Sequence, residues 1–143
     1  YDACLQSFRG IDAYARSRKI LLLVENHGGL AADPEKLVAL VKDVSSNNLE
    51  VLPDFGNFDA AIRDEGLKRI LPLAKHLISA KTHQFTADGQ HTEFDFDRCV
   101  QMSQAAGFPG CYSAEYYDRQ GQAADYEKIA DWMIKHLQAT LTR

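Results

Sequence analysis

The sequence predicts an α/β fold built from parallel βα repeats. Short apolar runs at 20–25, 49–53, 77–82 and 111–115 alternate with amphipathic stretches at helical spacing. The runs lack polar/apolar alternation, as strands covered on both faces do. A residue able to bind a hard metal or move a proton closes each run: Glu25, Asp54, His83 and Glu115. These four stand about 30 residues apart, the length of one β-loop-α-loop unit. A polar residue repeated at that period, always at the C-terminal end of a strand, is how a β/α barrel builds an active site.

The elements follow in chain order. Residues 2–17 carry Leu5, Phe8, Ile11, Ala13, Tyr14 and Ala15 at mostly helical spacing, which predicts a first helix. The run 20–25 is short and apolar, a buried strand, and Asn26-His27-Gly28-Gly29 forms a loop. Asp33-Pro34-Glu35 is a helix start, with Asp at the N-cap, Pro in the first position and an acid in the first turn. Leu37, Val38, Leu40, Val41 and Val44 form its buried stripe, and 49–53 is the second strand. Asp54-Phe55-Gly56-Asn57 reads as a turn, and a helix follows over 64–74, with Pro72 expected to weaken its last turn. The third strand is 77–82, and Asp88-Gly89 marks a turn in the polar loop behind it. The next helix starts near Asp95 or Asp97 and stops at Gly107. After the fourth strand, 111–115, a last helix spans 123–141, with Tyr126, Ile129, Ala130, Trp132, Met133 and Leu137 expected on its inner side.

One helix followed by four βα units implies a parallel sheet with right-handed crossovers. Two architectures fit: an open four-stranded sheet with helices on both faces, or half of an eight-stranded barrel. The 143 residues suffice for one domain with a real core. The net charge of -4 and the pI near 5.7 argue against a nucleic-acid surface. No apolar run reaches the length of a membrane span. Cys4, Cys99 and Cys111 are odd in number and far apart, which suits free structural thiols in a reducing, cytoplasmic setting. The chain begins at Tyr1 rather than Met and shows no signal-peptide pattern, which predicts a trimmed or partial chain.

Two Glu, one Asp and one His converging at a barrel mouth form a mostly oxygen donor set. By ligand softness it suits one divalent metal, Mn²⁺, Mg²⁺ or Co²⁺, with Zn²⁺ as an alternative. An octahedral ion held by four protein ligands keeps two positions open for a hydroxyl and a carbonyl of one substrate. The C–H between them is then acidified, and a carboxylate beside it serves as base. Against this, a lone Glu after a strand is most often a loop residue, and Asp54 alone can cap the Gly56-Asn57 turn. Four coincidences at one period are far rarer than one, and a buried carboxylate needs a partner.

Val24-Glu25-Asn26-His27-Gly28-Gly29, Asp54-Phe55-Gly56-Asn57, Ser79-Ala80-Lys81-Thr82-His83 and Ser113-Ala114-Glu115-Tyr116 resemble the xylose isomerase-like barrel superfamily, and within it the sugar phosphate isomerase/epimerase branch. The resemblance covers the whole chain. It implies that residues 1–143 are the C-terminal half of a (β/α)₈ TIM barrel, strands five to eight. It implies metal ligation by Glu25, Asp54, His83 and Glu115, with Glu25 and Glu115 also transferring protons. Two departures stand out. The family's epimerases carry His three residues after the aspartate, where this chain has Asn57. They often carry the strand-seven His two residues before a position like Lys81, where this chain has Ser79. His83 lies further along the same face of the strand, and His76 competes with it from the wrong end.

Lys81 is expected to face the interior, as an ion-pair partner of the carboxylates or to orient a substrate oxygen. His27 is a substrate contact or a loop residue. Asn26 and Asn57 hydrogen-bond a ligating carboxylate or a sugar hydroxyl. Tyr116 and Tyr117 line the mouth or pack as aromatics. His91 and Asp88 are expected to be solvated, and His136 to lie on the surface. The resulting expectation is a metal-dependent isomerase or epimerase acting on a sugar or related polyol, a small-molecule carbohydrate, through an enediolate. The alternatives are a lyase or dehydratase acting on a keto-sugar or hydroxy-acid, a DNA-repair endonuclease of the same superfamily, and an inactive half barrel. The endonuclease needs a His where this chain has Asn57 and an Asp-x-His pair, which the 84–97 segment lacks. A half barrel has two open sheet edges, so it would homo-oligomerise or pair with an N-terminal half. There is no Gly-rich phosphate loop and no Arg cluster to clamp a phosphate.

Overall fold

In the computed structural model, which describes residues 1–118 and 125–142, the order is one helix and then four βα units. The strands are β1 (Leu22–Glu25), β2 (Leu49–Leu52), β3 (Leu77–Thr82) and β4 (Cys111–Tyr116). The helices are α1 (Asp2–Ser17), α2 (Pro34–Val44), α3 (Arg63–Ile70), α4 (Phe96–Ala105) and α5 (Tyr126–Leu141). β1 pairs with β2 in parallel, Glu25 opposite Leu52, and β3 with β4, Lys81 opposite Glu115. A single bridge joins the two pairs. Phe55 N–H donates to the Ser79 carbonyl at 3.0 Å, and Ser79 N–H to the Pro53 carbonyl at 2.9 Å. The strands therefore lie side by side in chain order, with their C-terminal ends on one rim.

Local chemistry accounts for the boundaries. The Asp33 carboxylate accepts from Glu35 N–H at 3.0 Å and Lys36 N–H at 3.3 Å, satisfying donors that the first turn of α2 leaves open. Asp95 caps α4 in the same way, accepting from Arg98 N–H at 2.9 Å. α4 ends before Gly107, whose φ of 76° an L side chain rarely adopts. Pro72 ends α3 at Ile70, and the chain continues as a 3₁₀ turn over Leu71–Leu73. Phe58, Leu67, Ile70, Ile78 and Val100 are almost fully buried between sheet and helices, each worth about 1.5–3 kcal/mol of burial. Gly66 sits in α3 because a Cβ there would come within 2.8 Å of the Phe58 ring.

Several expectations need correcting. β2 and β3 are buried, but β1 is only half-buried and much of β4 is exposed, because each has one neighbouring strand. On α1 the inward stripe is Cys4, Leu5, Phe8, Asp12 and Ala15, while Ile11, Ala13 and Tyr14 face outward. Asp12 tolerates burial because it accepts from Ser46 Oγ at 2.8 Å and pairs with Arg16 at 3.0 Å. On α5 the buried stripe is Ile129, Met133, Leu137 and Thr140, at strict helical spacing, which leaves Tyr126 and Ala130 exposed. Positions 123–124 of the expected helix lie outside the described residues. Cys111 is exposed, where a structural thiol would be packed. No helix among the described residues is long and apolar enough to cross a membrane.

His91 and His136 are not solvated bystanders. His136 stacks on Trp132, ring centroids 3.9 Å apart, and its Nδ1 meets Asp97 Oδ1 at 2.8 Å, tying α5 to α4. His91 lies among the Phe94, Phe85 and Trp132 rings, at 4.6, 5.4 and 5.6 Å. Its Nδ1 faces the Gln84 carbonyl at 3.0 Å, and its Nε2 is buried with no hydrogen-bond partner among the described residues. Burial pushes its pKa down, and nearby Arg63 adds to this against the Gln84 carbonyl and Glu93. The unfolded chain therefore takes up a proton at the ordinary histidine value, and the folded chain only below it. Stability is full above that value and falls as pH drops through it. Unfolding by urea between pH 8 and 5 is expected to show the advantage of wild type over His91→Gln shrinking toward acid. An equal pH dependence in the two proteins would refute it.

Candidate active site

Glu25 closes β1, Asp54 follows β2, and Lys81 and Glu115 lie opposite each other at the ends of β3 and β4. Strand parity turns Ser79, Lys81 and His83 to one side of the sheet. All three are buried, at 4%, 5% and 3% exposure.

The centre of the site is the Lys81 ammonium. Its Nζ lies 2.9 Å from Glu115 Oε1, 3.1 Å from Asp54 Oδ2 and 3.8 Å from Glu25 Oε1. Asp54 Oδ2 is buried and meets the ammonium as an ion pair. The other Asp54 oxygen accepts from Gly56 N–H at 2.8 Å, so Asp54 caps the turn as well as facing the cation. Asn57 bridges the ring, with Nδ2 donating to Glu25 Oε1 at 2.8 Å and Oδ1 accepting from Nζ at 3.4 Å. Ser79 Oγ donates to Glu115 Oε2 at 2.8 Å. Asn26, fully buried, fixes Asp54 through its backbone: Asp54 N–H donates to Oδ1 at 2.7 Å, and Nδ2 donates to the Asp54 carbonyl at 3.1 Å.

These contacts push the two glutamates in opposite directions. Burial raises the pKa of Glu25, the Asp54 carboxylate raises it further, and Lys81 opposes only in part. Burial also acts on Glu115, but hydrogen bonds from Lys81 and Ser79 outweigh it and hold that carboxyl low. Burial would discharge Lys81, yet Glu115 and Asp54 keep it charged above the ordinary lysine value. A pair of carboxyls tuned apart in this way is the arrangement of an acid and a base sharing one site.

The remaining expected residues sit as follows. His83 Nδ1 is 3.0 Å from the Tyr117 carbonyl and Nε2 3.3 Å from the Gly56 carbonyl, so both nitrogens are turned to backbone oxygens. A neutral imidazole has one hydrogen to give to a carbonyl, and its other nitrogen keeps a lone pair. His27 is exposed, just past Glu25, and favours the ionised form of Glu25. His76 is at the opposite end of β3, 2.7 Å from Glu50. Tyr116 packs edge-on against Phe85, while Tyr117 is 61% exposed above the His83 ring. Gly56 passes close under Lys81 and His83, and a Cβ there would lie 2.7 Å from His83 Nε2 and 3.2 Å from Lys81 Cγ. Ser79, noticed in the sequence only as a departure, holds Glu115; its even spacing from Lys81 is the signal that places it in the ring.

Glu25, Asp54 and Glu115 suit a hard divalent ion in charge and donor type. The space between them belongs to Nζ, and among the described residues no three of His, Cys, Asp and Glu are arranged to hold a metal. Standing as they do, these residues do not fit a metal beside Lys81.

The sequence profile of the xylose isomerase-like TIM barrel matches residues 1–136. No curated protein sequence matches the chain. Among solved structures, a xylose isomerase-like TIM barrel protein from Mycobacterium smegmatis in complex with magnesium superimposes with a TM-score of 0.69 and 17% identity, over 98% of this chain and 51% of that one. The probable 3-DHS dehydratase AsbF of petrobactin synthesis from Bacillus anthracis gives 0.59 and 15%, over 97% and 55%. The chain spans about half the length of these structures and has the fold of a partial TIM barrel. It belongs to the xylose isomerase-like TIM barrel family.

Proposed function

We propose that this chain carries the proton-transfer residues of an isomerase or epimerase acting on a sugar or related polyol. The observation that carries the reading is the pair of glutamates flanking one buried cation, Glu115 at 2.9 Å and Glu25 at 3.8 Å from Nζ. An ionised carboxylate removes a proton from the carbon next to a carbonyl. The electron pair moves onto the carbonyl oxygen, and an enediolate forms beside the positive centre. The second carboxyl returns a proton, to the same carbon from the other face or to its neighbour, and closes an epimerisation or an isomerisation. Asn57, between Glu25 and Lys81, is placed to hold a substrate hydroxyl, and the exposed His27 to meet the substrate from the rim. The positive charge these residues hold beside a developing enediolate is the Lys81 ammonium. Completion of the pocket by a further half barrel or a second copy along the β1 and β4 edges is part of the proposal.

A lyase or dehydratase on a keto-sugar or hydroxy-acid begins with the same deprotonation, and likeness to a probable dehydratase keeps it as the second reading. NMR of the full-length protein with a panel of ketoses and aldoses in deuterated water separates them. The expected result is deuterium at the carbon next to the carbonyl with every hydroxyl retained. Loss of water selects the lyase, and no exchange with any substrate turned over defeats both.

A further inference from the structure

We infer that Lys81 takes the place of the divalent ion, so that the site works with an ammonium as its only fixed positive charge. The inference rests on the proton-transfer reading for what the charge does, but not for where it sits.

Three observations carry it. First, Nζ occupies the point on which Glu25, Asp54 and Glu115 converge, within 3.8 Å of all three. A metal at coordination distance from those oxygens, about 2.0–2.6 Å, would have to stand where Nζ stands. Second, Lys81 is not free to swing out. Its side chain is 6% exposed, its stem lies over Gly56, and the β3–β4 register sets it opposite Glu115. Third, β3 sets donors against the carboxylates where the family resemblance puts a ligating His. Ser79 Oγ gives its hydrogen to Glu115 Oε2, and the next inward residue is the ammonium itself, which has no lone pair for a metal. What remains is an electrophilic ammonium with three hydrogens, shared among carboxylates, that can turn one toward a developing oxyanion.

The test uses the full-length protein and Mn²⁺ as probe. Wild type, stripped with EDTA, is titrated with Mn²⁺ by calorimetry and by electron paramagnetic resonance, and its thermal midpoint is recorded with and without EDTA. The expected result is no stoichiometric Mn²⁺ and no shift of the midpoint. In Lys81→Met, which keeps the stem and removes the charge, the three carboxylates lose their cation. Mn²⁺ affinity is then expected to rise on the order of tenfold or more. Tight stoichiometric Mn²⁺ in wild type overturns the inference. So does an unchanged Mn²⁺ affinity in a folded Lys81→Met. If that variant does not fold, Lys81→Gln takes its place, and the wild-type titration decides independently of either. Solvent deuterium exchange is followed in the same samples. Exchange that survives EDTA agrees with the inference, and exchange lost to EDTA and restored by Mn²⁺ overturns it. Absence of exchange under every condition would defeat the proton-transfer reading and leave the metal titration to judge Lys81 by itself.

Discussion

Glu115→Gln in the full-length protein is expected to lower kcat by about 10²–10⁴-fold, the usual contribution of a positioned acid or base. Stability should change by less than ~1 kcal/mol. The asymmetry follows from the geometry. Glu115 is 44% exposed at the end of an outer strand and contributes little to the core. A glutamine keeps its shape and can still accept from Ser79 Oγ. What it loses is the negative charge that makes the group a base, held ionised by Lys81 and Ser79 against burial. Steady-state kinetics on a confirmed substrate, read beside a urea unfolding curve, checks both halves. An unchanged kcat would remove Glu115 from the chemistry. A large loss of stability with it would show a structural residue instead.

How far the sequence reached depends on where each side chain's surroundings come from. α2 was readable because its start is local: Asp33 caps, Pro34 sets the first turn, and the apolar stripe follows. β3 was readable as a strand over 77–82, and those are its bounds. Ile11 and Tyr14 helped to predict α1 by their spacing, but which face of α1 packs depends on α2, and that face carries the hydrogen-bonded Asp12. β1 and β4 read as doubly covered from composition alone, but cover depends on neighbours that no local pattern specifies. At the site, strand parity correctly put Lys81 and His83 on one face. It could not choose between them, because side-chain length and register make that choice. Lys81 stands directly opposite Glu115, and its long stem carries the charge to the centre. His83 lies beyond the last β3 residue, where the Gly56 and Tyr117 carbonyls take its ring.

Asn26→Ala is expected to destabilise the protein by about 2–5 kcal/mol, because it leaves buried backbone groups unpaired. The β1–β2 ladder stops at Glu25 opposite Leu52. One residue further, the Asn26 amide does what a strand backbone would do. Its Oδ1 accepts from Asp54 N–H at 2.7 Å and its Nδ2 donates to the Asp54 carbonyl at 3.1 Å, in a position closed to solvent. Alanine removes both partners at once, so one N–H and one C=O of Asp54 lose their hydrogen bonds. The damage reaches the chemistry through the same residue. Asp54 holds one face of the Lys81 ammonium at 3.1 Å, and a loosened Asp54 lets Nζ shift toward Glu115. Asn26→Asp separates the two effects, because its carboxylate still accepts from Asp54 N–H but cannot donate to the carbonyl, and it adds a fourth negative charge to the ring. Urea unfolding should therefore rank wild type above both variants. A loss under about 0.5 kcal/mol for Asn26→Ala, the range of an ordinary surface substitution, would show that water replaces the amide and that the end of β2 is held by the Phe55–Ser79 bridge instead.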